Sequence, residues 1–392
     1  MKLKSIESLN LASKRVFIRV DFNVPIKDGV IKNDKRIRSA LKTIKYAIDK
    51  KAKVILASHL GRPKGGFEKK YSLMPVGERL RDLLNMDIKV AEDCIGDGVK
   101  KIISDMKDGE VLLLENLRFH KEEEANEEKF AKELASLCDV YINDAFGTAH
   151  RAHASTEGMA HFVAEKAAGF LMLSEVENLS RVLTKPVKPF ITILGGAKVS
   201  DKINVITNLM SRVDIFIIGG AMAYTFLKSQ GRRTGKSLVE EDRLDVARQI
   251  LDNAKKSGVK ILLPEDHIVA KDENGEPRVV SIVDIDDDWI GFDIGPKTVA
   301  KYSEAIRGAK TIFFNGPLGM FENQKFSNGT FDIVKAVSEL KGAITVAGGG
   351  DTVSAIETLK LEDRFTHIST GGGASLEFME GKELPGIKIL EE

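Results

Sequence analysis

Short apolar runs alternate with segments of helical periodicity along most of the chain. Residues 37, 41, 44 and 48 are apolar at helical spacing, and the pattern recurs over residues 130–137 and 244–254. Strand–helix alternation of this kind predicts an α/β fold in which helices cover both faces of parallel sheets. The runs that suit buried strands are RVFIRV (15–20), KVILAS (53–58), VLLLEN (111–116), DVYIND (139–144), FITIL (190–194), DIFIIG (214–219), KILLP (260–264), TIFFN (311–315), AITVAG (343–348) and HIST (367–370).

The length of the chain and the distribution of its residues predict two domains. A chain of 392 residues is too long for one ordinary core. Histidines concentrate in the first half and glycines in the second. The expected boundary lies near SEVENLSRVLTKPVKP (174–189), a helical run that ends in two prolines. The asymmetry suggests two ligands, one for each half.

Composition gives no sign of a nucleic-acid or membrane partner. The 59 basic and 58 acidic residues leave a formal charge of +1, so any anion site must be local. The N-terminus has no apolar core of signal-peptide length, and the most apolar stretch, IFIIGGAMAYTFL (215–227), is too short to span a bilayer. Cys94 and Cys138 form no C-x-x-C pair and suggest structural residues of a reducing cytoplasm.

One stretch resembles a nucleotide-binding loop but does not have the glycine spacing that such a loop requires. GRRTGKS (231–237) has three residues between its glycines, where the Walker A motif has four, and the required position holds Gln230. A helix-like run precedes it, whereas a Walker loop follows a strand. The interpretation that fits is the C-terminal turn of a helix, with Gly231 as the cap.

Polar and cationic side chains follow each early strand, at the sheet edge where open α/β folds bind ligands. A single arginine there would be an ordinary surface residue, but a cluster predicts a small polyanion such as a phosphate or carboxylate. The H-x-x-H pair of His150 and His153 has no carboxylate partners and is a weak zinc signal, so hydrogen bonding within the loop is the favoured interpretation. The clustered residues are Asp21, Asn23, His59, Arg62, Arg118 and Arg151, with Arg36 just before the first helix; Arg36, His59, Arg62, Arg118 and Arg151 are the expected cations.

Three glycine-rich segments follow late strands and precede helix-like segments. They are GGAKVSDK (195–202), GGGDT (348–352) and TGGG (370–373). Glycine lets a backbone approach phosphate closely, and a helix N-terminus adds N–H donors. Lys198 and Lys202 are four residues apart and are predicted to reach phosphates from one helical face, while Asp351 is either an N-cap or a ligand of nucleotide-bound Mg²⁺. No G-x-G-x-x-G fingerprint or protein-kinase motif is present.

Taken together, these stretches resemble the phosphoglycerate kinase family. The resemblance runs in family order over essentially the whole chain, with Phe314 where the family usually has Trp and with Leu318 and Met320 in a loop that varies. Neither departure removes a charged group. The matching stretches are RVDFNVP (19–25), SHLGRP (58–63), LLLENLRFH (112–120), NDAFGTAHRAHAS (143–155), LGGAKVSDKI (194–203), FNGPLGMFE (314–322), GGGDTVSAI (348–356), STGGGASLE (369–377) and GKELPGI (381–387).

The resemblance implies two Rossmann-like domains with a cleft between them, and it assigns residues to each. Residues 1–170, joined by the tail 380–392, are expected to bind 3-phosphoglycerate through Asp21, Asn23, Arg36, His59, Arg62, Arg118 and Arg151. Residues 171–379 are expected to bind Mg–ATP or Mg–ADP through Gly196, Lys198, Lys202, Gly220, Gly291, Asn315, Pro317, Glu322, Gly349, Gly350, Asp351 and Thr352. Gly196, Gly220, Pro317 and Met320 match the family's adenine slot. The implied catalytic groups are Arg36, Lys198, Gly372 and Gly373, with Mg²⁺ on Asp351.

The implied activity is reversible phosphoryl transfer between 1,3-bisphosphoglycerate and ADP, giving 3-phosphoglycerate and ATP in glycolysis. The expected protein is a cytoplasmic monomer with Mg²⁺ as its cofactor. Two alternatives are a dehydrogenase, which lacks its dinucleotide fingerprint here, and a non-enzymatic anion-binding protein. The second would be favoured by loss of Lys198, Arg36 or Asp351, and all three are present.

Overall fold

A computed structural model describes residues 2–392 of the chain. The chain divides into two compact units. The first runs to Glu177 and includes Glu383–Glu392, and the second is Asn178–Lys382.

The first unit is built on a six-stranded sheet in which every neighbouring pair is parallel. The order across the sheet is β5-β6-β4-β1-β7-β8, so the chain crosses over repeatedly through helices. A two-stranded antiparallel hairpin, β2–β3, stands apart from it. The strands are β1 (Arg15–Arg19), β2 (Ile26–Lys27), β3 (Val30–Ile31), β4 (Lys53–Ala57), β5 (Ile88–Val90), β6 (Val111–Leu113), β7 (Val140–Asn143) and β8 (Glu165–Ala168).

Helices bury both faces of this sheet. Val16 and Ile18 of β1 share one apolar cluster with Ile37 and Ile44, and Phe17 between them is also fully buried. Because successive side chains of a strand point to opposite faces, both faces must be covered. The helices are α1 (Lys35–Asp49), α2 (Met74–Leu84), α3 (Asp97–Ser104), α4 (Lys121–Glu124) and α5 (Glu128–Ser136), and α6 (Phe170–Thr184) begins in this unit and continues into the second.

The second unit repeats the plan with a second six-stranded parallel sheet. Its order is β11-β10-β9-β15-β16-β17, and a separate antiparallel sheet has the order β13-β12-β14. The strands are β9 (Phe190–Leu194), β10 (Ile215–Ile218), β11 (Lys260–Leu262), β12 (His267–Ala270), β13 (Arg278–Val280), β14 (Ile290–Ile294), β15 (Thr311–Asn315), β16 (Ile344–Gly348) and β17 (His367–Ile368).

The apolar core of the second unit joins the sheet to its helices. Ile193 and Phe314 pack in one cluster with Tyr302, Ile333 and Ile356, which lie on three different helices. Phe314 is fully buried there, as expected for a residue that fills a core position. The helices are α7 (Ile203–Leu209), α8 (Met222–Ser229), α9 (Leu244–Lys256), α10 (Pro296–Arg307), α11 (Asn328–Ser338), α12 (Gly350–Thr358) and α13 (Gly373–Met379), and α14 (Pro385–Lys388) follows in the first unit.

The α/β architecture predicted from the sequence is confirmed, with some elements missed. All the predicted strands are present, most of them shorter by one to three residues. The strands without a prediction are β5, β8, the hairpin and the antiparallel sheet. Within residues 2–392, none of the helices combines the length and apolar character that crossing a membrane would require.

Candidate active site

The cationic residues of the first unit meet at the carboxyl end of its sheet. Strands β6, β4, β1 and β7 are consecutive neighbours, so the loops that follow them share one edge. Two hydrogen bonds join these loops around Gly61. Its N–H donates to Asn23 Oδ1 at 2.9 Å, and its carbonyl accepts from Arg118 Nη1 at 2.9 Å.

Arg36 is held by an acidic partner. Its Nη1 donates to Asp21 Oδ2 at 2.8 Å, and the other oxygen of this buried carboxylate accepts from the Asn23 N–H at 3.1 Å. Asp21 therefore fixes Arg36 and the turn after β1 together. Arg36 itself is half-buried at the start of α1, where its guanidinium keeps further donors for an anion.

Arg118 is the most deeply buried of the candidate arginines, at 5% exposure. It lies in a 3₁₀ turn, Leu117–Phe119, which Asn116 caps by accepting the Arg118 N–H at 3.1 Å. Nη2 lies 3.1 Å from Glu124 Oε1 without hydrogen-bond alignment, and Nε has no hydrogen-bond partner. Burial lowers the pKa of Arg118, Glu124 opposes this effect, and Arg151 adds to it. A buried guanidinium with unused donors is suited to an anionic ligand.

His59 does not add positive charge to this cluster. It is 4% exposed, and burial followed by Arg19, Arg118 and Arg36 holds its pKa well below the ordinary value of 6.5. The expectation that His59 is a cation is therefore wrong at neutral pH. A neutral ring can still accept or donate a hydrogen bond.

The remaining members differ in exposure. Arg62 is exposed, whereas Arg151 is half-buried and its Nε donates to His150 Nε2 at 3.2 Å. That bond confirms hydrogen bonding within the loop for His150. His153 is buried, and burial together with Arg118 and Arg19 lowers its pKa to about 3.

A buried hydrogen-bond network lies next to the arginine cluster, and the sequence did not predict it. Arg19 is fully buried at the end of β1; its Nε donates to Ser155 Oγ at 2.7 Å and its Nη2 lies 3.3 Å from His59 Nδ1. Ser155 in turn donates to the buried Glu123 through its N–H at 2.9 Å and its hydroxyl at 2.5 Å. Burial raises the pKa of Glu123, and Arg19 opposes that effect. An arginine inside the apolar run RVFIRV was the available signal.

The second unit has a cavity of about 270 Å³ at the carboxyl ends of β9, β15 and β16. Hydrogen bonds join the three loops, because the Gly316 N–H donates to Thr352 Oγ1 at 2.7 Å and the Gly196 N–H donates to the Pro317 carbonyl at 2.9 Å. The lining residues are Gly195, Gly196, Ala197, Lys198, Asp201, Lys202, Asn315, Gly316, Pro317, Gly349, Gly350, Asp351 and Thr352.

Glycine is required where two of these loops touch. A Cβ at Gly195 would lie 2.0 Å from the Pro317 oxygen, and one at Gly316 would lie 2.2 Å from the Gly195 oxygen. Gly316 also has a φ of +100°, a conformation that side chains other than glycine rarely adopt. The wall of the cavity is therefore backbone packed against backbone.

The two lysines of this cavity do not share a helical face. Helix α7 begins only at Ile203, and residues 195–202 form turns, so that expectation is wrong although both lysines line the cavity. Lys202 donates from Nζ to Asn315 Oδ1. Burial lowers the pKa of Lys202, and Asp201 and Asp351 oppose this effect. Lys198 is exposed.

Asp351 lies in the first turn of α12 and does not cap it. The N-cap position is Gly349, with a φ of +92°, and no side chain accepts a capping hydrogen bond there. The N-cap interpretation of Asp351 is therefore wrong. Its carboxylate is exposed at the cavity, beside the helix N–H groups that lack partners within the helix.

Four other predicted residues lie outside the cavity lining. Gly220 stands directly behind it, since a Cβ there would come within 2.6 Å of Gly196 backbone atoms. The Gly291 N–H donates to Ser237 Oγ at 2.9 Å, and Glu322 is exposed. The fourth, Met320, donates its N–H to the Phe292 carbonyl at 2.9 Å.

Two further glycine segments lie at helix ends. Gly231 follows α8 with a φ of +81°, and its N–H donates to the Lys228 carbonyl at 2.9 Å, which confirms a helix C-terminal turn. Gly372 is the N-cap of α13 with a φ of +54°, and the Gly371 N–H donates to Ser369 Oγ at 3.1 Å. Gly373 is the first residue of α13.

Two parallel-sheet units, one with clustered arginines and one with a glycine-walled, lysine-lined cavity, are suited to phosphoryl transfer involving an anionic substrate. The family model of phosphoglycerate kinase matches residues 6–382. The chain belongs to the phosphoglycerate kinase family, and its reaction is the glycolytic phosphoryl transfer between 1,3-bisphosphoglycerate and ADP.

Relatives named phosphoglycerate kinase match the chain over 98–100% of its length. The phosphoglycerate kinase of Anaeromyxobacter dehalogenans (strain 2CP-C) is 58% identical, with 100% of both chains covered. That of Dictyoglomus turgidum is also 58% identical and covers 98% of this chain and 97% of its own. The structure of phosphoglycerate kinase from Coxiella burnetii superposes with a TM-score of 0.91 at 45% identity, covering 99% of each chain.

Proposed function

We propose that the first unit binds 3-phosphoglycerate and the second binds Mg–ATP or Mg–ADP. The substrate residues are Asp21, Asn23, Arg36, His59, Arg62, Arg118 and Arg151. The observation that carries the proposal is Arg118, a buried guanidinium with an unpartnered Nε among other cations. Such a group is stabilised by a phosphate or carboxylate that accepts its free donors.

The nucleotide phosphates are assigned to the cavity of the second unit. Lys198 and Lys202 supply positive charge, and the backbone of Gly349 and Gly350 brings N–H donors close to the phosphates. Gly196, Gly220, Pro317 and Met320 are proposed to form the adenine slot, and Gly291 and Glu322 are the other proposed nucleotide residues. Asn315 and Thr352 hold the loops together: Asn315 Nδ2 donates to the Gly348 carbonyl at 2.9 Å, and Thr352 Oγ1 accepts the Gly316 N–H at 2.7 Å.

Asp351 is the residue proposed to hold Mg²⁺. It presents an exposed carboxylate at the cavity, and nucleotide-bound Mg²⁺ typically takes one or two carboxylates and completes its coordination with phosphate oxygens and water. Bound there, the ion would neutralise phosphate charge. The other steps are assigned to side chains and backbone groups of the chain.

Catalysis requires alignment and charge neutralisation and does not require a general base. The acceptor is the carboxylate of 3-phosphoglycerate, which is ionised at pH 7 because its ordinary pKa is about 4. Arg36 and Lys198 are proposed to neutralise charge on the transferring phosphoryl group, and the backbone N–H groups of Gly372 and Gly373 to add donors. A closure step would bring the bound substrates together and exclude water.

The direct test is acyl-phosphate formation trapped with hydroxylamine. Mg–ATP is supplied with and without 3-phosphoglycerate, and a third reaction contains excess EDTA. A signal that needs both 3-phosphoglycerate and the divalent metal supports the proposal. Lack of signal from a folded protein that binds ATP would reject it and favour a non-catalytic binding role.

Location and assembly are proposed from the reaction alone. A glycolytic enzyme meets its substrates in the cytoplasm, and each substrate has its site within a single chain, so a cytoplasmic monomer is sufficient. Light scattering coupled to gel filtration would measure the mass in solution. A mass twice the 43.1 kDa of one chain would contradict the monomer.

A further inference from the structure

A mixed cluster of sulfur, nitrogen and oxygen donors lies outside both candidate substrate sites. Asp93 and Cys94 belong to the loop between β5 and α3, and His120 ends the 3₁₀ turn that carries Arg118. One donor atom from each of the three side chains lies within 4.8 Å of the other two. None of the three belongs to the proposed substrate or nucleotide residues.

The contacts within the cluster orient its donors. His120 Nε2 and Asp93 Oδ1 are 2.6 Å apart, and the same oxygen accepts the Cys94 N–H at 2.6 Å. The imidazole stacks on the buried ring of Phe130, with 5.2 Å between ring centres. The ring of His120 is thereby held with Nε2 facing the carboxylate.

The spacing is compatible with a tetrahedral zinc ion. Zinc lies about 2.0–2.3 Å from nitrogen, oxygen and sulfur ligands, which sets donor-to-donor separations of roughly 3.3–3.8 Å. The cluster spans separations from 2.6 Å to at most 4.8 Å, so side-chain shifts of about 1 Å would suffice. Three protein ligands leave a fourth position for water.

Charge and exposure also favour a cation. Glu122 and Glu133 add negative charge near His120. The thiol of Cys94 is buried, whereas the side chains of Asp93 and His120 are 52% and 26% exposed. The donor atoms of the partly exposed Asp93 and His120 side chains lie within 4.8 Å of the Cys94 sulfur, so an ion bound by these two side chains would lie beside the thiol. Coordination would remove the proton of the thiol.

We propose that Asp93, Cys94 and His120 form a site for a thiophilic divalent cation of the zinc class. Zinc accepts this combination of thiolate, imidazole and carboxylate, while Mg²⁺ prefers oxygen ligands alone. The site is thus distinct in chemistry from the one assigned to Asp351. It does not depend on the roles proposed for the substrate residues.

The experiment uses tag-free, full-length protein stripped of metal with a chelator. Equilibrium dialysis against buffered Zn²⁺ measures stoichiometry and affinity, and Co²⁺ titration reports a thiolate ligand through its near-ultraviolet charge-transfer band. We expect one ion per chain and a thiolate band. Cys94→Ser should abolish that band, and His120→Gln should weaken binding by more than the roughly 10–100-fold that loss of an outer-shell partner costs.

Cys138 provides the matched control. It is also a free, buried thiol of the first unit, but its sulfur lies 3.6 Å from the Ala135 carbonyl, and its charged neighbours are Arg15 and Asp139. Cys138→Ser should retain the ion and the band. Either of two results overturns the proposal: a folded wild-type chain that takes up no Zn²⁺ or Co²⁺, or a band that survives Cys94→Ser. His120→Gln provides the test if Cys94→Ser fails to fold.

Discussion

Positive side chains gathered at one sheet edge repel one another, and their neighbours reduce this cost. Asp21 pairs with Arg36, and Glu124 stands beside Arg118. His59 is kept neutral by burial and by the surrounding arginines. The residual positive potential is then concentrated on guanidinium donors, which suit phosphate and carboxylate better than a solvated ammonium does.

The role assigned to Lys198 predicts a kinetic signature. Lys198→Ala should lower kcat at least about 100-fold, because removing one preorganised charge-stabilising donor commonly costs that much. Binding of 3-phosphoglycerate, measured by calorimetry, should stay nearly unchanged because that ligand is assigned to the other unit. Lys256→Ala, an exposed lysine on α9, is the matched control. Full turnover in Lys198→Ala would remove Lys198 from the mechanism.

Buried His153 predicts a specific pH dependence of stability. Its folded-state pKa is about 3 and its ordinary value is 6.5, so below pH 6.5 the unfolded chain takes up a proton that the folded chain does not. Its contribution is therefore present above pH 6.5 and is lost as the pH falls towards 3, by about 1.4 kcal/mol at pH 5.5.

The measurement for His153 is urea unfolding followed by circular dichroism between pH 7.5 and 5.5. The free energy of unfolding of the wild type should fall with pH more steeply than that of His153→Gln. The comparison of slopes matters, because the variant also loses packing at every pH. Equal slopes would show that His153 takes up its proton in the folded protein as readily as in the unfolded chain.

The elements that position the candidate sites differ in how far sequence predicts them. Strands β1, β9 and β15 were predicted within one residue because their buried apolar side chains leave a clear pattern. Strand β8, reading EKAA, was missed because its charged and small residues lack β propensity. Tertiary pairing defines it, with β7 on one side and a bridge from Ala168 to Ser5 on the other. The antiparallel sheet was missed because β12 and β13 have only four and three residues, and because Gly291 and Asp293 interrupt the apolar residues of β14.

The site residues also differ in how far the sequence predicts them. Residues that follow strands were predictable, since parallel strands bring their carboxyl ends to one edge. Arg19 was missed because a charged residue within a strand pattern does not reveal which partner buries it. The non-helical conformation of residues 195–202 was missed because this segment is held by tertiary hydrogen bonds that its own sequence does not reveal. Gly195 and Gly196 donate to the carbonyls of Asn315 and Pro317, and Ser200 donates to the Glu240 carboxylate.

The backbone contact between two loops of the second unit predicts an effect of adding one methyl group. Gly195→Ala would place its Cβ 2.0 Å from the Pro317 oxygen, so the loops must separate and the cavity must change shape. We expect weaker nucleotide binding, seen as a raised KM for ATP, together with a destabilisation of about 1–3 kcal/mol.

Gly308→Ala is the control for Gly195→Ala within the same unit. Gly308 follows α10 with a φ of −89°, and nothing lies within 4 Å of a Cβ added there. Its replacement should leave the KM for ATP unchanged and shift stability by less than about 1 kcal/mol. Equal effects of the two substitutions would show that the close contact at Gly195 does not shape the nucleotide cavity.

At the scale of the whole molecule, the assignment of one substrate to each unit predicts separate protection patterns. A ligand at 100 times its Kd stabilises the state that binds it by about 2.7 kcal/mol, which is a 100-fold reduction in opening. With 3-phosphoglycerate alone, amide hydrogen exchange should slow most in the loops after β1, β4, β6 and β7. With Mg–ADP alone it should slow most after β9, β15 and β16. The control for this exchange experiment is a sample without ligand at equal ionic strength, which removes the effect of salt on surface charges.

Each expected protection pattern is defined within one unit. Protection of the same unit by both ligands would therefore overturn the assignment, even if the enzyme were fully active.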